Sequence, residues 1–387
     1  MQEKAAHIVE YLQEQRESME SFLSELVRAE SPSRDPEAQQ EVFGLLSKGF
    51  SRIGFDTLHF PGKKTGGFLM AQPQNRVRHR PIQLLLGHGD TVWERGTLKE
   101  MPLRRKGEKM TGPGVFDMKA GLTQMIFAIG TLRALGLPWE VTPVCLINSD
   151  EEIGSRESTR AIRRLARLAN RAYILEPPLG LQGKLKTARK GLGRFTITIR
   201  GIAAHAGLDP GKGASAILEL SHQVQRLFAL NDLPKGITVN VGMIEGGVSP
   251  NVVAPSCKAV ADVRVPTQED ALAVEEAIYG LEPIHPDVTL KIEGGFGRPP
   301  MEPTPRNQAL WEVARKAGRS LDIELEQASA GGGSDANTTS LYTATLDGLG
   351  TPGDGAHAAR EFIFYEKLQE RTALLALLLL LPPVNKA

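Results

Sequence analysis

Cysteine is scarce: the 387-residue chain has 2, Cys145 and Cys257. They form neither a metal motif nor a disulfide framework. Cys145 lies in the apolar run "VTPVCLI" and reads as a small core residue. An excess of one charge is also missing, since 46 Lys and Arg face 45 Asp and Glu for a net charge of +1. That balance gives no reason to expect nucleic acid or an anionic membrane as partner. A membrane-length apolar run is absent too. The longest, "ALLALLLLLPP", is too short to span a bilayer and reads as a buried last helix stopped by Pro382 and Pro383. The opening "MQEKAAHIVEYLQEQRES" has no signal-peptide apolar core. These features lead to the expectation of a cytoplasmic protein. No internal repeat or low-complexity tract is visible, and the length allows two or three domains.

What is present is an alternation of helical and strand patterns. Ile8, Leu12, Met19, Phe22, Leu23 and Leu26 recur at helical spacing, so an amphipathic helix opens the chain. "SPSRDPEAQQEVFGLL" is a capped turn followed by a second helix. "PIQLLLGHGD", "VTPVCLINSDEE" and "AYILEPP" are apolar runs that end in polar clusters. Such runs suit strands buried on both faces of an α/β sheet. The helical patterns between them predict a doubly wound fold, in which ligands bind beyond the carboxyl ends of the strands. From about residue 186 the order becomes β-α-β-β-α-β, a ferredoxin-like unit inserted in the first domain. The expected division is a discontinuous catalytic domain at 1–185 and 296–387, with an inserted lid at 186–295. Three glycines at 331–333 hint at a phosphate loop, but no Gly-Lys-Ser/Thr follows.

The polar clusters hold the chemistry. His88, Asp90, Asp117, Glu151, Glu152, Glu176 and His357 are the candidate ligands and proton carriers, and two of the eight histidines sit in Gly-rich loops after apolar runs. Three consecutive acids, Asp150 to Glu152, repel one another at the end of a buried strand. Cations among them would turn that repulsion into ligation. Two divalent ions need a bridging carboxylate, and His with carboxylate in the absence of thiolate suits Zn²⁺, with Co²⁺ or Mn²⁺ as substitutes. Adjacent acids such as Glu151 and Glu152 can divide the work, one binding metal and one taking a proton from water. A carboxylate next to a ligating histidine fixes its tautomer, a task that suits Asp90. Taken singly, each cluster also has an ordinary reading as a turn, a helix cap or a loop acid.

In the order in which they occur, "GHGDTVW", "GPGVFDMKAG", "SDEEIGS", "EPP", "AAHAG" and "GDGAH" resemble the zinc-dependent aminoacylase and carboxypeptidase family. That family includes acetylornithine deacetylase, succinyl-diaminopimelate desuccinylase and carboxypeptidase G, and the resemblance spans nearly the whole chain. It implies two zinc ions per subunit bridged by Asp117, one held by His88 and Glu176, the other by Glu152 and His357. It implies Glu151 as general base and acid, and a cis peptide between Asp117 and Met118. His205 would steady the oxyanion, and Asn251 and Arg264 would hold the substrate carboxylate, a match for the planar guanidinium fork. Ala120 stands where many members have Gly.

"SREST", "EPPLGLQGKL" and "GGGSDAN" are most similar to the glutamate carboxypeptidase type. Lys184 then lies where that type carries a lysine near the acidic side chain of a terminal glutamate. The expected reaction is hydrolysis of an amide next to a free carboxylate, in a small peptide or N-acyl amino acid, by a homodimer paired through the lid. An N-acyl-amino-acid deacylase using the same site is the alternative. A non-catalytic binding protein on this fold is a more distant one, and the intact set of candidate ligands and base argues against it.

Overall fold

The three apolar runs that end in polar clusters are adjacent parallel strands in the computed structural model, which describes residues 1–384. Ten strands carry the description: β1 Phe55–Phe60, β2 Phe68–Pro73, β3 Ile82–His88, β4 Thr142–Asn148, β5 Ala169–Ile174, β6 Gly191–Arg200, β7 Thr238–Gly246, β8 Ser256–Val265, β9 Thr289–Arg298 and β10 Ala344–Leu346. The helices are α1 Gln2–Glu14, α2 Arg16–Arg28, α3 Pro36–Arg52, α4 Ala120–Ala134, α5 Thr159–Leu168, α6 Ala216–Phe228, α7 Gln268–Tyr279, α8 Pro305–Arg319, α9 Ala336–Thr339 and α10 Tyr365–Leu379.

Two compact units result. The first takes Met1–Thr187, Pro303–Ala330 and the chain from Ser334 onward; the second takes Ala188–Glu302 with Gly331–Gly333. The first unit is built on a six-stranded mixed sheet in the order β1-β2-β4-β3-β5-β10. Every residue of β3, β4 and β5 is buried, as expected for strands covered on both faces. His88 pairs with Asn148, and Leu86 with Ile174, so the carboxyl ends of these three strands lie side by side. α4 is buried almost all round and packs against α2 and α10. The leucines of α10 are buried, as read from its apolar run. Among the described residues, no helix is long and apolar enough to cross a membrane.

The opening helix differs from the sequence expectation. It is two helices, α1 and α2, that meet at Gln15. α1 packs on α10, while α2 packs on α4, so the break lets each half bury its own apolar stripe against a different neighbour. α3 starts as its sequence suggests: Asp35 accepts the Ala38 N–H at 3.1 Å, and Pro36 occupies the first turn.

The second unit is an antiparallel sheet in the order β7-β8-β6-β9, with α6 and α7 supplying the helical connections. This is the ferredoxin-like order read from the sequence. Its core gathers Phe195, Ile197, Ile199, Leu220, Val263 and Ile278. Gly331–Gly333 belongs with it because Arg264 donates to the Gly331 carbonyl at 2.9 Å and Arg189 to that of Gly332 at 3.0 Å.

Candidate metal centre

Each candidate ligand of the first unit stands just past a buried element. β3 ends at His88, β4 leads into Glu151 and Glu152, and β5 runs on to Glu176. Asp117 sits where a short irregular turn enters α4, and the peptide joining it to Met118 is cis, as the resemblance implied. Gly114, two residues before that turn's Phe116, has φ +70°, and a Cβ there would lie 2.6 Å from the Thr91 methyl. Only glycine lets the turn close at that point. His357 also has a positive φ of 61°, a costly backbone state for a residue with a side chain.

The geometry is that of a shared carboxylate. Asp117 presents Oδ1 to His88 Nε2 at 3.2 Å and Oδ2 to His357 Nε2 at 3.5 Å. Glu176 Oε1 lies 3.5 Å from His88 Nε2, and Glu152 Oε2 lies 3.1 Å from His357 Nε2. The ligand atoms of His88, Asp117 and Glu152 fall within 4.8 Å of one another, as do those of His88, Glu151 and Glu176. Oε1 of Glu152 is buried and has no hydrogen-bond partner. A buried carboxylate oxygen without a donor is costly unless a cation meets it. Imidazole and carboxylate donors converging in this way fit a pair of divalent cations.

The electrostatics agree. Burial pulls the His88 imidazolium down, but Asp117, Asp90 and Glu176 outweigh it and hold its pKa well above the usual value. His357 is raised to about 10 by Asp117 and Glu152, against a smaller burial effect. Burial acts to raise Asp117, yet His357 and His88 bring it below the ordinary carboxylate range. Glu152 is raised, mainly by burial, with the Asp117 carboxylate adding to it and His357 opposing. The cluster attracts positive charge, and bound cations would compete with the imidazolium protons.

A second set of acids holds the cluster in place. Asp90 is fully buried, and its carboxylate accepts from Glu151 N at 3.3 Å, Glu152 N at 3.2 Å and Ser33 Oγ at 2.7 Å. The nearer partner of His88 Nδ1 is the Asp90 backbone carbonyl at 2.9 Å, with the carboxylate at 3.5 Å. The histidine is therefore oriented chiefly by a main-chain oxygen, while the Asp90 side chain fixes the turn that bears Glu151 and Glu152. Asp150, the first of the three acids, is a helix anchor. It accepts from Glu157 N at 2.7 Å, Ser158 N at 3.3 Å and Ser158 Oγ at 2.5 Å, just ahead of α5.

Glu361 stands outside the sequence motifs but supports the site. It is fully buried and accepts from Gly114 N, Phe116 N, Asp117 N and Trp93 Nε1 at 2.8–3.1 Å. Four residues after His357, it ties that loop to the turn carrying Asp117. Burial pushes its pKa up to about 7 against the pull of those N–H donors. The available signal was an acid directly abutting the apolar run "FIF", the same pattern that marks Glu176 but at the other end of a strand.

The remaining candidates lie elsewhere in the chain. Lys184 closes a tight turn with Leu179 in the first unit and pairs with Glu326 at 2.6 Å. In the second unit, Nδ1 of His205 accepts from Gly207 N at 3.2 Å and Leu208 N at 3.1 Å, which leaves the proton of the neutral ring on Nε2. The Asn251 carbonyl accepts from Ala206 N at 2.9 Å, so the loops of His205 and Asn251 are joined. Arg264 pairs with Asp262 at 2.9 Å, and one guanidinium N–H goes to Gly331.

Comparison with known proteins agrees with this architecture. Residues 187–281 match the peptidase dimerisation domain of the M20 family. The chain is similar to carboxypeptidase G2 of Pseudomonas sp. (strain RS-16), 28% identical over 92% of this chain and 88% of that one. It is also similar to acetylornithine deacetylase of Myxococcus xanthus, 28% identical over 48% of this chain and 50% of the other. Among solved structures, aminopeptidase PepT of Bacillus cereus superposes with a TM-score of 0.79, at 24% identity, over 94% of this chain and 98% of that one.

Proposed function

For a metallohydrolase of the M20 peptidase family, which this chain is, we propose the release of a C-terminal glutamate or similar amino acid from a small peptide or acyl amino acid. The observation that carries the proposal is the division of labour around Asp117. Its two oxygens address His88 and His357 separately, Glu176 and Glu152 complete the two sides, and Glu151 stands beside them on the turn pinned by Asp90. Similarity to carboxypeptidase G2 along most of both chains supports the choice of reaction.

His88, Asp117 and Glu176 would hold one divalent cation, and Asp117, Glu152 and His357 the other, with Zn²⁺ the choice that suits these donors. Bound there, the pair would polarise the scissile carbonyl and acidify a water. Glu151 takes the proton of the attacking water and returns it to the leaving amine. Asp90 keeps Glu151 and Glu152 in register by holding both of their N–H groups. His205, with its proton on Nε2, has the right chemistry to donate to an oxyanion. Arg264 and Asn251 are assigned to the substrate carboxylate, and Lys184 to an acidic side chain, for which it would exchange Glu326. The dimerisation-domain match supports a homodimer paired through the second unit. Sedimentation as a single 42.0 kDa species would remove that part.

The test incubates the zinc-loaded protein with a panel of aminoacyl and N-acyl amino acids and reads free amino acid by mass spectrometry. Selective release of glutamate or aspartate, lost in Glu151→Ala, supports the proposal. Release of neutral or basic amino acids from acyl substrates moves the chain to the deacylase branch. Turnover in Glu151→Ala with metal still bound refutes the mechanism.

A further inference from the structure

On a chain of net charge +1, one helix face is almost entirely arginine. Arg156, Arg160, Arg163, Arg164 and Arg167 are all exposed, and at about 100° per residue they fall on one side of α5 and its lead-in. The opposite side, with Ile162, Leu165 and Ala166, is buried in the first unit. The arginines line a shallow recess with Thr159 and Leu168. Among the described residues, no ion pair or hydrogen bond engages these five guanidiniums, and only Arg167 has a partner, the Tyr342 ring, 4.7 Å away. Glu157, the one acid in this stretch, is turned to the backbone N–H groups of Lys63, Lys64 and Thr65. Like charges at i,i+3 and i,i+4 destabilise a helix, and cations in its first turn oppose the macrodipole. A face built this way is relieved by a bound polyanion.

Its position and spacing narrow the occupant. α5 connects β4 to its sheet-mate β5 in a crossover, so it starts at the edge of the sheet where Glu151 and Glu152 stand. Arg156 is four residues beyond Glu152. Arginines four apart are separated by about 6 Å along the axis, close to the ~6.6 Å between alternate side chains of an extended peptide. Single-stranded nucleic acid is disfavoured because the recess lined by the arginines holds no aromatic side chain among the described residues, and the Tyr342 ring is already covered by Arg167. Insertion into a lipid surface is disfavoured because the apolar side of α5 is committed to the core.

We propose that this face is an accessory site for the acidic, upstream part of a peptide substrate, whose side-chain carboxylates bind Arg156, Arg160, Arg163, Arg164 and Arg167 while its terminal residue is cleaved. It rests on the reading of the site as one that releases a terminal amino acid. The test uses two pentapeptides ending in glutamate, one with four glutamates upstream and one with four glutamines, and a short N-acyl glutamate. Each is assayed with the wild-type protein and with Arg160→Glu/Arg163→Glu/Arg164→Glu, alongside the corresponding triple glutamine variant as a milder change.

The wild type should prefer the acidic pentapeptide by about tenfold in kcat/KM at low salt, the sum of several exposed pairs, and added salt should erode the preference. Both variants should lose it through a higher KM, with the short substrate turned over as before. Equal use of the two pentapeptides by the wild type, or a preference that survives in the variants, overturns the proposal. If the wild type cleaves none of the three, the cleavage reading fails instead. The face is then tested by fluorescence anisotropy with a labelled, C-terminally amidated hexaglutamate, whose affinity should fall about tenfold in the triple glutamate variant. Unchanged hexaglutamate affinity overturns the proposal, as does arginine-dependent binding of an RNA oligonucleotide or phosphatidylserine vesicles with none of hexaglutamate.

Discussion

The acids around the site form two sets of the same residue types in neighbouring positions. Asp90, Asp150 and Glu361 face inward onto N–H and O–H donors. Asp117 and Glu152 face imidazoles and one another, and Glu152 keeps a buried oxygen with no donor. The first set is satisfied by the fold; the second is completed only by positive charge. A carboxylate's role here is decided by what points at it, and Asp150 and Glu152, two residues apart, lie on opposite sides of that division.

Substitutions can break this contrast. The largest effect is expected at Glu151: Glu151→Gln should lower kcat by about a thousandfold, with metal content by mass spectrometry unchanged. Next comes the anchoring set. Glu361→Gln places an amide against N–H donors, and it should reduce cation affinity about 10- to 100-fold while costing about 1–3 kcal/mol of stability. Calorimetric titration and denaturant unfolding would measure the two. Glu152→Gln sharpens the contrast, because it relieves a buried carboxylate. The metal-free variant should be as stable as the wild type or slightly more so, by up to about 1 kcal/mol, yet should lose a cation. A clear loss of metal-free stability would place Glu152 with the anchors.

The smallest effect concerns pH. The folded pKa of His357, about 10, lies above its ordinary 6.5, so the metal-free protein has the full stabilisation below pH 6.5 and loses it as pH rises through 10. The ring is 53% exposed, so solvent screening keeps the change below about 1 kcal/mol. Thermal melts across this range should show the decline without cations and lack it with them.

Much of this arrangement is legible in the sequence because it is local. Apolar runs ending in His88, in the triple acid and in Glu176 mark the carboxyl ends of three buried strands, and the alternation after residue 186 marks the ferredoxin-like unit. What is hidden depends on partners distant in the chain. The break at Gln15 follows from α1 and α2 choosing different helices to pack on. Glu361 works on backbone groups 244–247 residues away, where a one-residue pattern carries no information. The orientation of His88 comes chiefly from the Asp90 carbonyl, a group every residue possesses.

Native mass spectrometry of the zinc-loaded protein decides whether two cations would share Asp117. Two zinc ions per chain are expected in the wild type, none in Asp117→Ala and one in His357→Ala. One ion or none in the wild type, or two retained in Asp117→Ala, would contradict that sharing.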